Sequence, residues 1–128
     1  MTKHTFPKSL RLLGSGDFQA VFENAPFRAS HQHLLILARS NSLPVARLGL
    51  VIAKKHVRHA VERNRIKRLI RESFRHRQQS LAGLDVIVLA RKGMGELSNP
   101  VITEQLNQQW QRVLRKAAQQ SKTDIAPS

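Results

Sequence analysis

The chain has 128 residues, with 22 Lys+Arg against 8 Asp+Glu and no cysteine. That length supports one domain with a single small core. The missing thiols exclude disulfide frameworks, cysteine nucleophiles and sulfur-ligated zinc. A formal charge of +14 calls for a polyanionic partner, while 41% hydrophobic residues in periodic runs oppose disorder. No apolar run approaches the ~18 residues of a membrane span. The N-terminal stretch has only the short apolar patch Leu10–Leu13, which is not a signal-peptide core. A cytoplasmic protein is expected, with nucleic acid as its partner and no membrane role.

Residues 1–14 read as an irregular basic leader. Ser15 is the expected N-cap of a short helix, in which Phe18, Val21 and Phe22 recur at helical spacing. Asn24-Ala25-Pro26 ends it. Phe27 to Ser40 reads as one extended stretch, strongest over His33–Ala38, and Asn41–Pro44 is a turn. Arg47–Ala53 is a second strand whose unbroken apolar run predicts burial on both faces. A long helix is predicted over 60–78, a connection with Gly83 follows, and Asp85–Ala90 is a third strand. Arg91–Gly95 is a basic, glycine-rich loop. The last helix opens at Asn99-Pro100, a cap followed by proline. Its apolar stripe comprises Ile102, Leu106, Trp110, Val113, Leu114 and Ala117. The expected domain is 1–118, with 119–128 a disordered polar tail. The alternation of elements gives one α/β domain.

The central helix and its approach carry the most information. From Lys54 to Arg77 there are ten basic residues and only two acidic ones, Glu62 and Glu72. At ~100° per residue, Ile66, Leu69, Ile70 and Phe74 share the face that docks on the sheet. Asn64, Lys67, Arg68, Arg71 and Arg75 fall opposite, with Arg63 and Arg65 near the two borders. The pairs Arg63/Lys67, Lys67/Arg71 and Arg71/Arg75 put like charges at i,i+4, which disfavours the helix. A solvated face normally mixes signs, and the stripe is expected to hold no acid. Arginine forks bind phosphate bidentately, and Asn64 can bond a backbone or a base edge. This is an RNA-binding pattern.

The run Ala60–Glu72, with Arg63-Asn64-Arg65 at its centre, resembles the signature of the protein component of bacterial ribonuclease P. Asp17–Phe22 resembles that family's first helix, Gly49–Lys55 its strand into the signature helix, and Val86–Lys92 its later strand and basic loop. The resemblance spans roughly residues 8–117 in the right order. It implies an α/β fold with three helices and a mixed four-stranded sheet, and a left-handed crossover through the basic helix, against the usual right-handed rule. It also implies two RNA sites. Arg63, Asn64, Arg65, Lys67, Arg68 and Arg71 correspond to the helix that binds the catalytic RNA. Phe18 and Phe22 correspond to a cleft for the 5′ leader of precursor tRNA, with Lys54 and Lys55 at its edge. The family's cleft often includes tyrosines; this chain has none, and Ile36 or its neighbours are expected on the sheet instead. His56-Val57-Arg58-His59 replaces the glycine turn of some members.

No protein catalytic group is expected. The eight acids are scattered along the sequence, whereas metal-dependent nucleases gather carboxylates around their ions. His31 and His33 would share a strand face and could in principle run acid–base cleavage, but no partner residue accompanies them at informative spacing. Solvated or RNA-contacting histidines are the favoured reading. The resemblance implies removal of the leader by phosphodiester hydrolysis, with Mg²⁺ held mainly by the RNA. The partners expected are the catalytic RNA and precursor tRNA, not DNA. The alternative is a non-enzymatic RNA-binding protein such as a ribosomal protein.

Overall fold

The structure, a computed structural model, describes residues 12–125; residues 1–11 of the expected basic leader and the last three residues lie outside that range. Helix α1 spans Ser15–Glu23. Its cap is Gly14, one residue before the expected Ser15. Phe18 N–H donates to Gly14 O at 3.0 Å, and the Asp17 carboxylate takes the Gly14 N–H at 3.3 Å. Asp17 in the first turn also complements the helix dipole.

Strands β1 (Phe27–Ser30) and β2 (Leu34–Ser40) form an antiparallel hairpin, not one extended run. The chain reverses at His31-Gln32-His33, where His31 N–H donates to Leu34 O at 2.8 Å. This turn contains no Gly, Pro or Asn, so the sequence carried no punctuation to mark it. In place of a turn-forming residue, His31 Nδ1 accepts the His33 N–H at 3.2 Å.

Strand β3 (Arg47–Val51) leads into α2 (Ala60–Arg77), which returns the chain to β4 (Leu84–Ala90). The sheet order is β1-β2-β4-β3, with β3 and β4 parallel and the other pairs antiparallel. This is the mixed four-stranded sheet that the resemblance implies. β4 is central, and its Leu-Asp-Val-Ile-Val-Leu-Ala run is buried on both faces. β3 instead lies at the sheet edge and stops at Val51. The continuous apolar run from Leu48 to Ala53 overstated its burial.

A short 3₁₀ turn, Met94–Glu96, and then α3, Asn99–Ile125, complete the chain. Ile102 N–H bonds Ser98 O at 3.0 Å, so Ser98 and not Asn99 precedes the first turn. No break in the helical backbone marks the domain edge expected at residue 118.

Helices α2 and α3 cover one sheet face. Ile66, Ile70 and Phe74 of α2 meet Ile102, Leu106 and Trp110 of α3 over Leu34, Ile36, Leu48, Val86 and Val88. The Phe74 and Trp110 rings sit 6.1 Å apart, and Trp110 Nε1–H donates to Ser73 Oγ at 2.7 Å. That bond satisfies the fully buried indole, as a buried Trp requires. The other face is only partly covered, by α1.

Candidate nucleic-acid interface

Strand register divides this second face into rows. Arg39, Asp85 and Arg47 form the first row, Leu37, Ile87 and Gly49 the second, and Leu35, Leu89 and Val51 the third. α1 is fastened over the first row. Arg47 grips Asp85 with two bonds, at 2.8 and 2.7 Å, and reaches Asp17 of α1 at 3.2 Å. Arg39 donates to Ala20 O at 2.9 Å. The buried Asp85 carboxylate holds the Arg47 guanidinium in its charged form.

Val21 and Leu13 close the second row. Phe18 lies on Gly49: a Cβ there would stand 2.6 Å from the ring's Cζ. Gly49 is therefore needed for the close approach of α1 to β3. The Phe22 ring stacks on Phe18 with centroids 6.3 Å apart and an interplanar angle of 23°. The third row is left half-buried. Leu35, Leu89 and Val51, with Phe22 of α1 49% exposed at their edge, make an apolar trough on an otherwise basic protein.

The two phenylalanines thus differ. Phe18 is pinned between helix and sheet, whereas Phe22 presents surface. Ile36 is fully buried on the opposite face, and Leu35 takes the trough position suggested for Ile36 or a neighbour. Lys54 and Lys55 are exposed just past the end of β3, at the margin of the trough. A turn built on Ala53 O, which accepts from His56 and Val57 N–H, sets their direction.

Beyond the lysines lies a depression of about 430 Å³ lined by Lys55, His56, Arg58, His59 and Lys92, with Glu62 and Glu96. It sits at the start of α2, and its residues come from two loops far apart in sequence. Periodicity could not have found it.

On α2, Asn64 and Arg68 are exposed and Lys67 and Arg71 partly so. Val61 is 75% exposed at the same end. The two arginines near the helix borders turn inward. Arg63 Nη1 donates to Val57 O and Arg58 O at 3.0 and 2.8 Å, bracing the approach loop. Arg65 commits all five of its N–H donors within the protein: two to Glu62 Oε1, and one each to Gly95 O, Leu97 O and Asn99 Oδ1. It is a junction between α2, the 3₁₀ turn and α3. The basic stripe is also not free of acids. Glu72 pairs with Arg75 at 3.3 Å and Glu62 with Arg65 at 2.7 Å, so the uncompensated set is Asn64, Lys67, Arg68 and Arg71.

Among the described residues, no three His, Asp or Glu side chains gather to hold a metal ion. Asp17, Glu62, Glu72 and Asp85 are each engaged by an arginine. This donor set does not suit Mg²⁺, and no step is assigned to a protein-bound ion. His31 and His33 stand at the hairpin turn, not on a strand face, with rings 5.7 Å apart. Burial and the neighbouring His33, Arg112 and Arg91 lower the His31 pKa. No carboxylate pairs with either ring among the described residues. The arrangement offers positive charge and ring edges to a ligand.

Residues 6–125 match the Ribonuclease P family. The chain is 49% identical over 127 residues to the ribonuclease P protein component of Pseudomonas aeruginosa, covering 99% of this chain and 94% of that one. It is 52% identical over 117 residues to that of Edwardsiella ictaluri, covering 91% and 98%. The fold superposes on the Staphylococcus aureus RNase P protein with a TM-score of 0.72 at 27% identity, over 79% of this chain and 92% of that one. The Thermotoga maritima RNase P protein gives 0.66 at 30% identity, over 77% and 94%. The family match over most of the chain, these identities and the shared fold identify the chain as a member of the ribonuclease P protein family, the protein component of a tRNA-processing endoribonuclease.

Proposed function

We propose that the protein grips the catalytic RNA of ribonuclease P with the exposed face of α2 and holds the 5′ leader of precursor tRNA in the trough. The observation that carries this reading is the pairing of two unlike surfaces. Asn64, Lys67, Arg68 and Arg71 form an uncompensated basic face. The Leu35–Leu89–Val51 row with Phe22 forms an apolar, ring-edged floor. A duplex-like RNA scaffold presents phosphates, which suit the first surface. A single-stranded leader presents unpaired bases, which suit the second, at about 1–3 kcal/mol per stacked base.

In this reading the protein's part is electrostatic and positional. Basic side chains screen repulsion between scaffold and substrate phosphates, and the trough fixes the leader relative to the scissile bond. Hydrolysis is assigned to the RNA, with Mg²⁺ held there, and the setting is the cytoplasm. Family membership does not favour the ribosomal-protein alternative.

The test is reconstitution. Holoenzyme assembled with the protein should bind precursor tRNA more tightly than mature tRNA, and Phe22→Leu should shrink that preference by about the worth of one stack. Lysate pulldown that recovers ribosomal RNA in place of one long structured RNA would overturn the reading.

A further inference from the structure

The trough does not end at its third row. The next register position pairs His33 with Arg91, whose N–H donates to His33 O at 2.9 Å. Arg91 is held a second time, by Nη1 to His31 O at 2.8 Å. Its Nε and Nη2 make no bond among the described residues and remain for an outside acceptor. His31 Nδ1 is occupied by the His33 N–H, so the neutral ring carries its proton on Nε2, free to donate outward. From the far side, Arg112 of α3 reaches the same turn, with Nη1 3.3 Å from Ser30 O.

Thus two imidazoles and two guanidinium groups meet at one end of the sheet. None of them has a carboxylate partner among the described residues. Three other arginines do pair with acids: Arg47 with Asp17 and Asp85, Arg65 with Glu62, and Arg75 with Glu72. The turn also touches the loop that follows β4, since a Cβ on Gly93 would sit 3.3 Å from the His33 ring. Like charges crowded at a turn destabilise it unless an anion completes the set.

We propose that the His31–His33 turn and Arg91 form a phosphodiester subsite at the open end of the trough, occupied by a backbone phosphate of the single-stranded RNA lying there. The proposal rests on the reading that the trough holds the leader. His31 Nε2–H and the free edge of Arg91 are the donors, and Arg112 adds charge from the side. The apolar rows take bases and carry no charge; this end takes the backbone. The two together fix the strand's direction along the sheet.

The experiment uses reconstituted holoenzyme and precursor tRNAs in which single leader phosphates are replaced by neutral methylphosphonates. With the wild-type protein, one position should lower precursor affinity by roughly ten-fold, the worth of a charge-assisted hydrogen-bond pair. With Arg91→Gln, affinity for the unmodified precursor should fall by a similar factor, and that position should become silent. His31→Asn keeps an oxygen where Nδ1 accepts the turn's N–H, so it reads the same coupling if Arg91→Gln disturbs the loop. Affinity for mature tRNA should not change. A position that stays equally sensitive in both variants, or a wild type sensitive at none, would overturn the subsite. The trough reading fails separately, when Phe22→Leu leaves the precursor-over-mature preference unchanged.

Discussion

Arg65 Nη1 meets Asn99 Oδ1 at 2.6 Å, and that bond ties the second turn of α2 to the first residue of α3. With its other four bonds it makes Arg65 the brace of the signature helix. Arg68, one turn on, has an exposed side chain and no ion pair among the described residues. Two arginines of the same run therefore do different work.

Alanine substitution should separate them. Arg65→Ala leaves Glu62 and the Gly95 and Leu97 carbonyls without their donor, and should cost about 2–3 kcal/mol of stability in urea denaturation. Arg68→Ala should leave stability within about 0.5 kcal/mol. It should reduce the log–log salt slope of RNA binding by roughly 0.7–0.9, one phosphate contact. Equal stability loss in both variants would show that the brace is not where the structure puts it.

The two phenylalanines should part in the same way. Phe22→Leu should keep the fold and weaken only precursor binding. Phe18→Ala removes the ring from between α1 and Gly49, and should lower stability by about 2–3 kcal/mol. Gly49→Ala drives a Cβ to 2.6 Å from that ring, an overpacking that should cost about 1–3 kcal/mol. Thermal melts of the free protein, paired with precursor and mature tRNA affinities of the holoenzyme, distinguish the outcomes.

Purified protein with Mg²⁺ and precursor tRNA should give no cut at the mature 5′ end, and adding the catalytic RNA should restore cleavage. Its carboxylates are bound by arginines or scattered. Specific RNA-free cleavage, lost on changing His31 or His33, would place the chemistry on the protein.

His31 should make stability depend on pH. Burial first, then His33, Arg112 and Arg91, depress its pKa below the usual 6.5. The unfolded chain therefore binds the proton more readily, and stability falls as pH drops below 6.5 until the folded-state pKa is passed. Protonation also removes Nδ1 as acceptor for the His33 N–H. Between pH 7.5 and 5.5, wild type should lose urea stability relative to His31→Asn, which does not titrate. Parallel pH profiles would refute the effect.

The sequence by itself determined a small α/β domain, the extent of α2, its sheet-facing residues Ile66, Ile70 and Phe74, and a basic opposite face. These features are local: 3.6-residue periodicity and unbroken apolar runs sort side chains by face before any long-range contact forms. Tertiary structure decided the rest. Arg63 and Arg65 looked like the residues beside them, and only the carbonyls of Val57, Arg58, Gly95 and Leu97, together with Asn99, turned them inward. Phe18 and Phe22 were equivalent by spacing until β3 brought Gly49 under one ring. The trough floor, Leu35, Leu89 and Val51, is assembled by register between strands that are distant in sequence. The reversal at His31–His33 had no turn residue to announce it, because the histidine ring itself supplies the acceptor. For Arg65, Phe18 and the trough floor the deciding partner lies on another strand or helix, where sequence spacing carries no record of distance.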